Sequence, residues 1–439
     1  MLKTLRDALK IKEVRTKLLY TLLMIVIIRI GCQMPVPGVD RNYFASWFAS
    51  QTSDAFNFLD AFTGGSFLNM SLLALNITPY ITSSIIMQLL TIAIPALEEM
   101  QKEGGEGRKK IASITRYVTV ALALIESTAM TISFGQGGLL EKFNALNVIT
   151  AVVALTAGSA FVMWIGERIT ENGIGNGISI ILLVNIIARI PQDMTSLISQ
   201  FVTGKLIAQQ ILAVVIILAI LVLMIMLVVL LNSGIRKIPV QYARRSQGSQ
   251  IGSGTASNIP IRINTAGVIP IIFASSLLQT PGIITSLVMG NESPTGVWGE
   301  VLKYLSSRYW VNRAYPIYSI GLLVYCILVV VFAYFYTSIT FNPIELADNL
   351  KKSNGFIPGI RPGKPTSDYI TNILNAIIFI GAIGLTIVGV LPYIFYGVFN
   401  ASVTFLGTSL IIIVSVIIET LTQVEGMMLV RNYKGFLNQ

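Results

Sequence analysis

The sequence predicts an all-α polytopic membrane protein, with about ten transmembrane helices in two inverted five-helix halves. Three observations predict it: a charge-poor, apolar composition, a series of long apolar runs, and basic residues gathered in alternate loops. Of 439 residues, 54% are hydrophobic and only 12% are charged. An ordinary soluble domain carries about 25% charged residues. A membrane helix needs about 20 mostly apolar residues to cross the hydrocarbon layer. Ile211 to Leu231 and Ile317 to Ile339 meet that standard alone.

The first run, Leu18–Pro35, is too long and too Arg-flanked for a cleavable signal. It ends in Pro35-Val-Pro-Gly rather than in small residues, so it reads as a retained span. Ile77–Pro95, Ile111–Phe134, Val148–Ile165 and Ile178–Ser196 complete the first half. Ala208–Leu231, Thr265–Met289, Pro316–Phe341, Ile370–Leu391 and Thr404–Val424 form the second. The halves, residues 1–200 and 201–439, meet near Gln192–Gln209. An odd number of spans per half forces opposite topologies, and inverted repeats of this kind usually carry a pathway at their seam. No sequence match between the halves is visible, so the repeat is topological.

Charge sets the orientation, because short loops rich in Lys and Arg stay in the cytoplasm. The tail carries Lys3, Arg6, Lys10, Lys12, Arg15 and Lys17, and the loop after the second span Lys102, Arg108, Lys109, Lys110 and Arg116. Arg236, Lys237, Arg244, Arg245 and Arg262 follow the sixth span, and Lys351, Lys352, Arg361 and Lys364 the eighth. Both termini are then cytoplasmic. A basic surface facing anionic lipid accounts for most of the net charge of +10.

Three segments interrupt the spans. Phe56–Leu75 is only partly apolar and holds Gly64, Gly65, Ser66, Asn69 and Ser71. Irregular backbone cannot face lipid, so it is an external loop or a short helix folded back into the mouth of a pathway. Asn232–Asn264 and Asn342–Tyr369 read as long cytoplasmic loops. In the latter, Phe356 and Ile357 sit among Gly355, Pro358, Gly359, Pro362 and Gly363. That is an apolar tip on a stiff basic hairpin, either a docking element or a tucked-in loop.

Several chemistries are excluded. There is no histidine, and Cys32 and Cys326 are single cysteines in different spans, with no metal or disulfide spacing. Proton-coupled transport would bury ionisable groups near the midplane. Arg29 lies near the outer end of its span and can snorkel, while Glu126, Glu419 and Glu425 read as interfacial or packed residues. The glycine-rich Glu171-Asn-Gly-Ile-Gly-Asn-Gly follows no strand, and there is no P-loop. No catalytic residue, cofactor or metal is expected.

Five blocks in order carry a family resemblance. They are Arg29-Ile-Gly with Pro35-Val-Pro-Gly, Ile77-Thr-Pro-Tyr-Ile-Thr-Ser-Ser-Ile-Ile-Met-Gln-Leu-Leu, Gly104–Arg116, Gly166-Glu-Arg-Ile-Thr-Glu-Asn-Gly-Ile-Gly-Asn-Gly-Ile-Ser, and Ala266-Gly-Val-Ile-Pro-Ile-Ile-Phe-Ala-Ser-Ser. The Asn342–Gly363 loop is the most specific addition. With them the chain resembles the SecY family of bacterial protein-conducting channels. It departs where related sequences carry further basic residues after the Gln-Gly turn, since Ser249 and Gln250 follow Gly248 here.

The resemblance implies a passive channel in the bacterial plasma membrane, its halves enclosing a central hourglass pore. Unfolded secretory polypeptides cross it, and apolar segments such as signal sequences leave sideways into lipid. SecE and SecG are the implied small subunits, and the SecA motor ATPase or a translating ribosome supplies the energy. The implied pore ring is Ile77, Ile81, Ile178, Leu182, Ile272 and Ile412. Ile77 and Ile81, like Ile178 and Leu182, stand four apart and share a helix face. The implied plug runs through Asp60, Ala61, Phe62, Thr63, Gly64, Gly65, Ser66, Phe67, Leu68, Asn69, Met70 and Ser71. The implied lateral gate sets the second and third spans against the seventh and eighth, with amides at Gln88 and Asn264. Motor or ribosome docking falls to Arg361, Arg244, Arg245, Phe356 and Ile357. The rival class is a small-solute secondary transporter, which needs a polar midplane site. An insertase of another fold would lack these blocks.

Overall fold

A computed structural model describes residues 10–40, 43–44, 46, 60, 62–103, 105–140, 142–201, 207–242, 257–289, 296–311, 315–399 and 408–437. Helices dominate: α1 Lys12–Gly31, α2 Thr78–Ala93, α3 Pro95–Lys102, α4 Gly105–Phe134, α5 Ala145–Asn172, α6 Gly177–Phe201 and α7 Ile207–Ser233. After strands β1 Ile235–Tyr242 and β2 Ser257–Arg262 come α8 Ile269–Met289, α9 Gly296–Leu305, α10 Ile320–Thr340 and α11 Pro343–Lys352. A short strand β3, Gly355–Phe356, precedes α12 Lys364–Phe399 and α13 Thr408–Leu437.

By length and composition, α4, α5, α6, α7, α10, α12 and α13 each suffice to cross a membrane. The measure gives seven spans, or eight if α2 and α3 count as one bent span. The expected ten is therefore not reached on this criterion, for local reasons. α1 begins with Lys12, Glu13, Arg15 and Lys17 and ends with Arg29. α2 and α3 are bent by 105° at Ile94. Pro95 drives that residue to extended backbone, φ −112° and ψ 111°. In α8 the apolar helix is short, Ile269–Thr285.

The chain divides into two compact units. The first comprises Met1–Ser196, Thr280–Leu302 and Val416–Gln439. In it α5 packs against α4 and α1, and α4 against α2. Its main core gathers Val36, Phe44, Phe67, Met70, Ala74 and Leu75 with Met130, Phe134, Ala151 and Leu155. Phe44 meets Phe67 and Phe134 edge-on, each at 5.5 Å between centroids, the arrangement aromatic quadrupoles favour. The glycine-rich run after α5 is a tight helical corner. A Cβ on Gly177 would stand 1.9 Å from the carbonyl oxygen of Gly166, so only glycine lets α6 start this close to α5. Asn176 caps α6, its Oδ1 accepting from Ile178 N at 3.1 Å and Ser179 N at 3.4 Å.

The second unit comprises Leu197–Gln279 and Lys303–Ser415. Here α10 and α11 pack along α12. The expected loop Asn232–Asn264 is not wholly irregular. β1 pairs antiparallel with β2, from Ile235↔Arg262 to Val240↔Ser257. Its other edge takes β3 through Gln241↔Phe356 and Tyr242↔Gly355. Ile238 and Val240 alternate inward along β1. They join Ile261, Leu350, Ile357, Ile370, Leu374 and Ile377 in one core. α11 starts at the cap the sequence supplies: Asn342 Oδ1 accepts from Ile344 N at 3.1 Å and Glu345 N at 3.3 Å, with Pro343 first in the helix.

Candidate channel-lining and docking sites

In the first unit, Ile77 immediately precedes α2 and is 1% exposed, and Ile81 N donates back to its carbonyl at 3.0 Å. Ile178 and Leu182 lie on successive turns of α6, Leu182 buried and Ile178 partly exposed. In the second unit, Ile272 on α8 and Ile412 on α13 are both buried. None of the six carries a polar group.

The segment proposed as a plug is folded inward within the first unit. Asp60, Phe62, Thr63, Ser66, Phe67, Met70 and Ser71 are buried, Gly64, Gly65 and Leu68 partly so, and only Asn69 is exposed. Ala61 lies outside the described residues. Asp60, Phe62 and Thr63 are helical, and residues 64–70 continue as a chain of turns. Gly64 and Gly65 hold φ of +67° and +82°, a region open to glycine at little cost. Polar side chains supply the bonds that a regular helix would have made. Ser66 Oγ donates to Thr63 O at 2.8 Å and contacts Leu73 O at 3.0 Å. Asp60 Oδ1 accepts from Leu68 N at 2.9 Å, and Asn76 Nδ2 donates to Thr63 O at 3.4 Å. The segment leaves along α5, where Ser159 Oγ donates to Asn76 O at 3.0 Å.

Two arginines grip this segment. Arg29 does not snorkel: its Nη1 donates to Gly64 O at 3.4 Å. Arg189 on α6 forms an ion pair with the buried Asp60, and its Nε lies 3.7 Å from Asp193 Oδ1. Neither Arg189 nor Asp193 was foreseen. The available signal was two ionisable residues four apart inside an apolar run.

Of the two gate amides, Gln88 is half-buried, and its side chain bonds to no described residue. Asn264 is tied within the second unit. Its Nδ2 donates to Asn232 Oδ1 at 2.7 Å, and Asn232 Nδ2 donates to Ser415 Oγ at 2.9 Å. This thread links the end of α7, the approach to α8, and α13. Asn264 Oδ1 is buried without a hydrogen-bond partner among the described residues. Asn264→Leu should strand Asn232 Oδ1 and cost about 1–3 kcal/mol. Thermal unfolding of the purified protein checks this, and an unchanged midpoint removes the thread as a stabilising element.

Among the docking residues, Arg361 is exposed, its carbonyl accepting from Thr366 Oγ1 at 2.8 Å. The apolar tip needs correction. Ile357 is 2% exposed and sits in the core of the second unit, and Phe356 is half-buried in β3. The pairing of β3 with β1 turns that part of the loop inward, leaving Pro358, Gly359, Arg361 and Pro362 as its exposed part. Arg244 and Arg245 lie outside the described residues.

These features define a polytopic helical membrane protein with an irregular segment folded into its first unit and exposed basic loops. The SecY family model matches residues 71–421. Protein translocase subunit SecY of Bacillus licheniformis is 37% identical over 446 residues, covering all of both chains. A solved SecY translocation channel, whose plug domain stabilises its closed state and maintains a membrane seal, is 19% identical. It covers 94% of this chain and 92% of its own, with a TM-score of 0.61. Sec61 in the canine ribosome–channel complex is 18% identical over the same shares, with a TM-score of 0.64. The chain belongs to the SecY family of protein-conducting translocation channels. Nothing in these likenesses favours a small-solute transporter.

Proposed function

We propose that the chain is the central subunit of a bacterial plasma-membrane translocase, spanning ten times with both termini cytoplasmic. SecE and SecG complete the complex, and SecA or a translating ribosome docks on the basic loops. Unfolded polypeptides pass a collar formed by Ile77, Ile81, Ile178, Leu182, Ile272 and Ile412. Aliphatic side chains suit that role, because they exclude ions yet offer no hydrogen bond to hold a passing chain. Apolar segments leave sideways beside Gln88 and Asn264. Residues 60–71 seal the channel between translocation events.

The observation that carries this reading is the inward fold of residues 60–76, apolar at Phe62, Phe67 and Met70 and bonded to itself. An external loop has no reason to bury an aspartate and three hydroxyl side chains, Thr63, Ser66 and Ser71. Removing residues 60–69 spares Met70 and the Pro35–Ser71 bridge. In the assembled complex in planar bilayers, that deletion should raise the ion conductance of the resting channel. An unchanged conductance returns the segment to a purely structural loop.

A further inference from the structure

We propose that Arg189 is a two-position latch: it holds Asp60 while the channel is closed and falls back on Asp193 when the segment withdraws. The proposal rests on reading residues 60–71 as a plug. Asn185, Arg189 and Asp193 stand at intervals of four along α6 and so form one stripe. The segment lies directly on this stripe. A Cβ on Gly64 would stand 2.9 Å from both the Cα and the carbonyl oxygen of Asn185. One turn further along α6, Arg189 meets Asp60. One turn beyond that, Asp193 Oδ1 is 3.7 Å from Arg189 Nε.

The placement makes the aspartate a reporter of the folded segment. One oxygen of Asp60 faces Arg189 while the other accepts from Leu68 N at 2.9 Å. The turn 60–68 must therefore be closed for the pair to form. Asp60 is 1% exposed, and a charge so buried is tolerable only when paired. Beneath the segment, the Asn185 amide is buried with neither Nδ2 nor Oδ1 hydrogen-bonded to a described residue. Closure leaves that amide unsatisfied, and water reaching the stripe would satisfy it. The closed state thus carries a cost that the ion pair offsets. Asp193 has the complementary role. When Asp60 departs, Arg189 would otherwise be a lone cation on an apolar helix. A carboxylate one turn away keeps it paired, so release does not require stranding a charge.

A simple structural trio predicts that loss of either carboxylate loosens the segment. The latch predicts opposite signs. The test uses the full chain with its partner subunits, reading resting conductance in planar bilayers and export of a reporter with progressively weakened signal sequences. Asp60→Asn should raise conductance about tenfold, equivalent to about 1.4 kcal/mol of closed-state preference, and admit weaker signals. Asp60→Glu keeps the carboxylate and should stay near wild type, which separates latch loss from misfolding. Asp193→Asn should leave conductance at or below wild type and demand stronger signals. A rise in conductance for Asp193→Asn overturns the exchange. If deletion of residues 60–69 raises conductance while Asp60→Asn does not, the latch is overturned and the plug reading stands. If neither changes conductance, the plug reading falls and the latch with it.

Discussion

Cells whose channel carries Arg361→Glu are expected to hold normal amounts of the protein and to lose motor-driven export by more than about tenfold. The two halves of that expectation have separate causes. The Arg361 side chain is exposed, and its contribution to the local fold is through its carbonyl, which accepts from Thr366 Oγ1 at the start of α12. Surface changes of that kind usually alter stability by no more than about 0.5 kcal/mol. A guanidinium, by contrast, makes paired hydrogen bonds to carboxylate or phosphate and is always charged. Reversing it substitutes repulsion for attraction at the proposed docking surface. Export of a secreted reporter and the amount of channel in the membrane are both measured. Normal export at normal protein level would remove Arg361 from that surface.

Gly158→Ala should be strongly damaging to the first unit, although it adds only a methyl group. The added Cβ would stand 1.9 Å from the carbonyl oxygen of Leu72 and 2.9 Å from its carbonyl carbon. Both are backbone atoms, so no side-chain rotation relieves the clash. The neighbouring Ser159 holds Asn76 by a 3.0 Å hydrogen bond, and pushing α5 away breaks that contact as well. Overpacking of this kind costs about 1–3 kcal/mol. A matched control lies in α8, where a Cβ on Gly282 meets nothing within 4 Å. Gly282→Ala should leave stability unchanged or raise it, since alanine is the better helix former by about 1 kcal/mol. Thermal unfolding of the two purified variants settles the comparison. Equal midpoints would contradict the close approach of α5 to residues 72–76.

The helices were legible because twenty apolar residues in a row have few other fates. They overshoot the apolar runs where polar ends continue the same backbone, as Lys364–Phe399 does around Ile370–Leu391. The strands were hidden by Pro239 in β1 and Pro260 in β2, which argue against a sheet unless its geometry allows them. At Ile357 the sequence leaves a docking tip and a tucked-in loop both open, because the partner strand that decides between them lies far away in the sequence. Among candidate site residues, the six aliphatics of the ring look like any others in an apolar span, and only the family resemblance singles them out. Asn264 stood out as an amide beside an apolar helix, yet its partners Asn232 and Ser415 belong to distant segments. Arg189 and Asp193 are visible as two charges four apart in an apolar run, but their role depends on Asp60, which belongs to a distant segment.

The third strand also has a consequence for the order of events during synthesis. Gln241 pairs with Phe356, and between them the chain makes β2 and the four helices α8 to α11. β1 and β2 can zip together as a local hairpin soon after they are made. The β3 edge cannot close until all four intervening helices have been made. Contacts of such long range carry the loop-closure entropy of everything between them. The three-stranded sheet is therefore completed late, as a clasp that fastens only on a correctly threaded chain. A misplaced α10 leaves Val240 and Ile357 without their shared core, and a protease that distinguishes the clasped loop from the open one would read such errors directly.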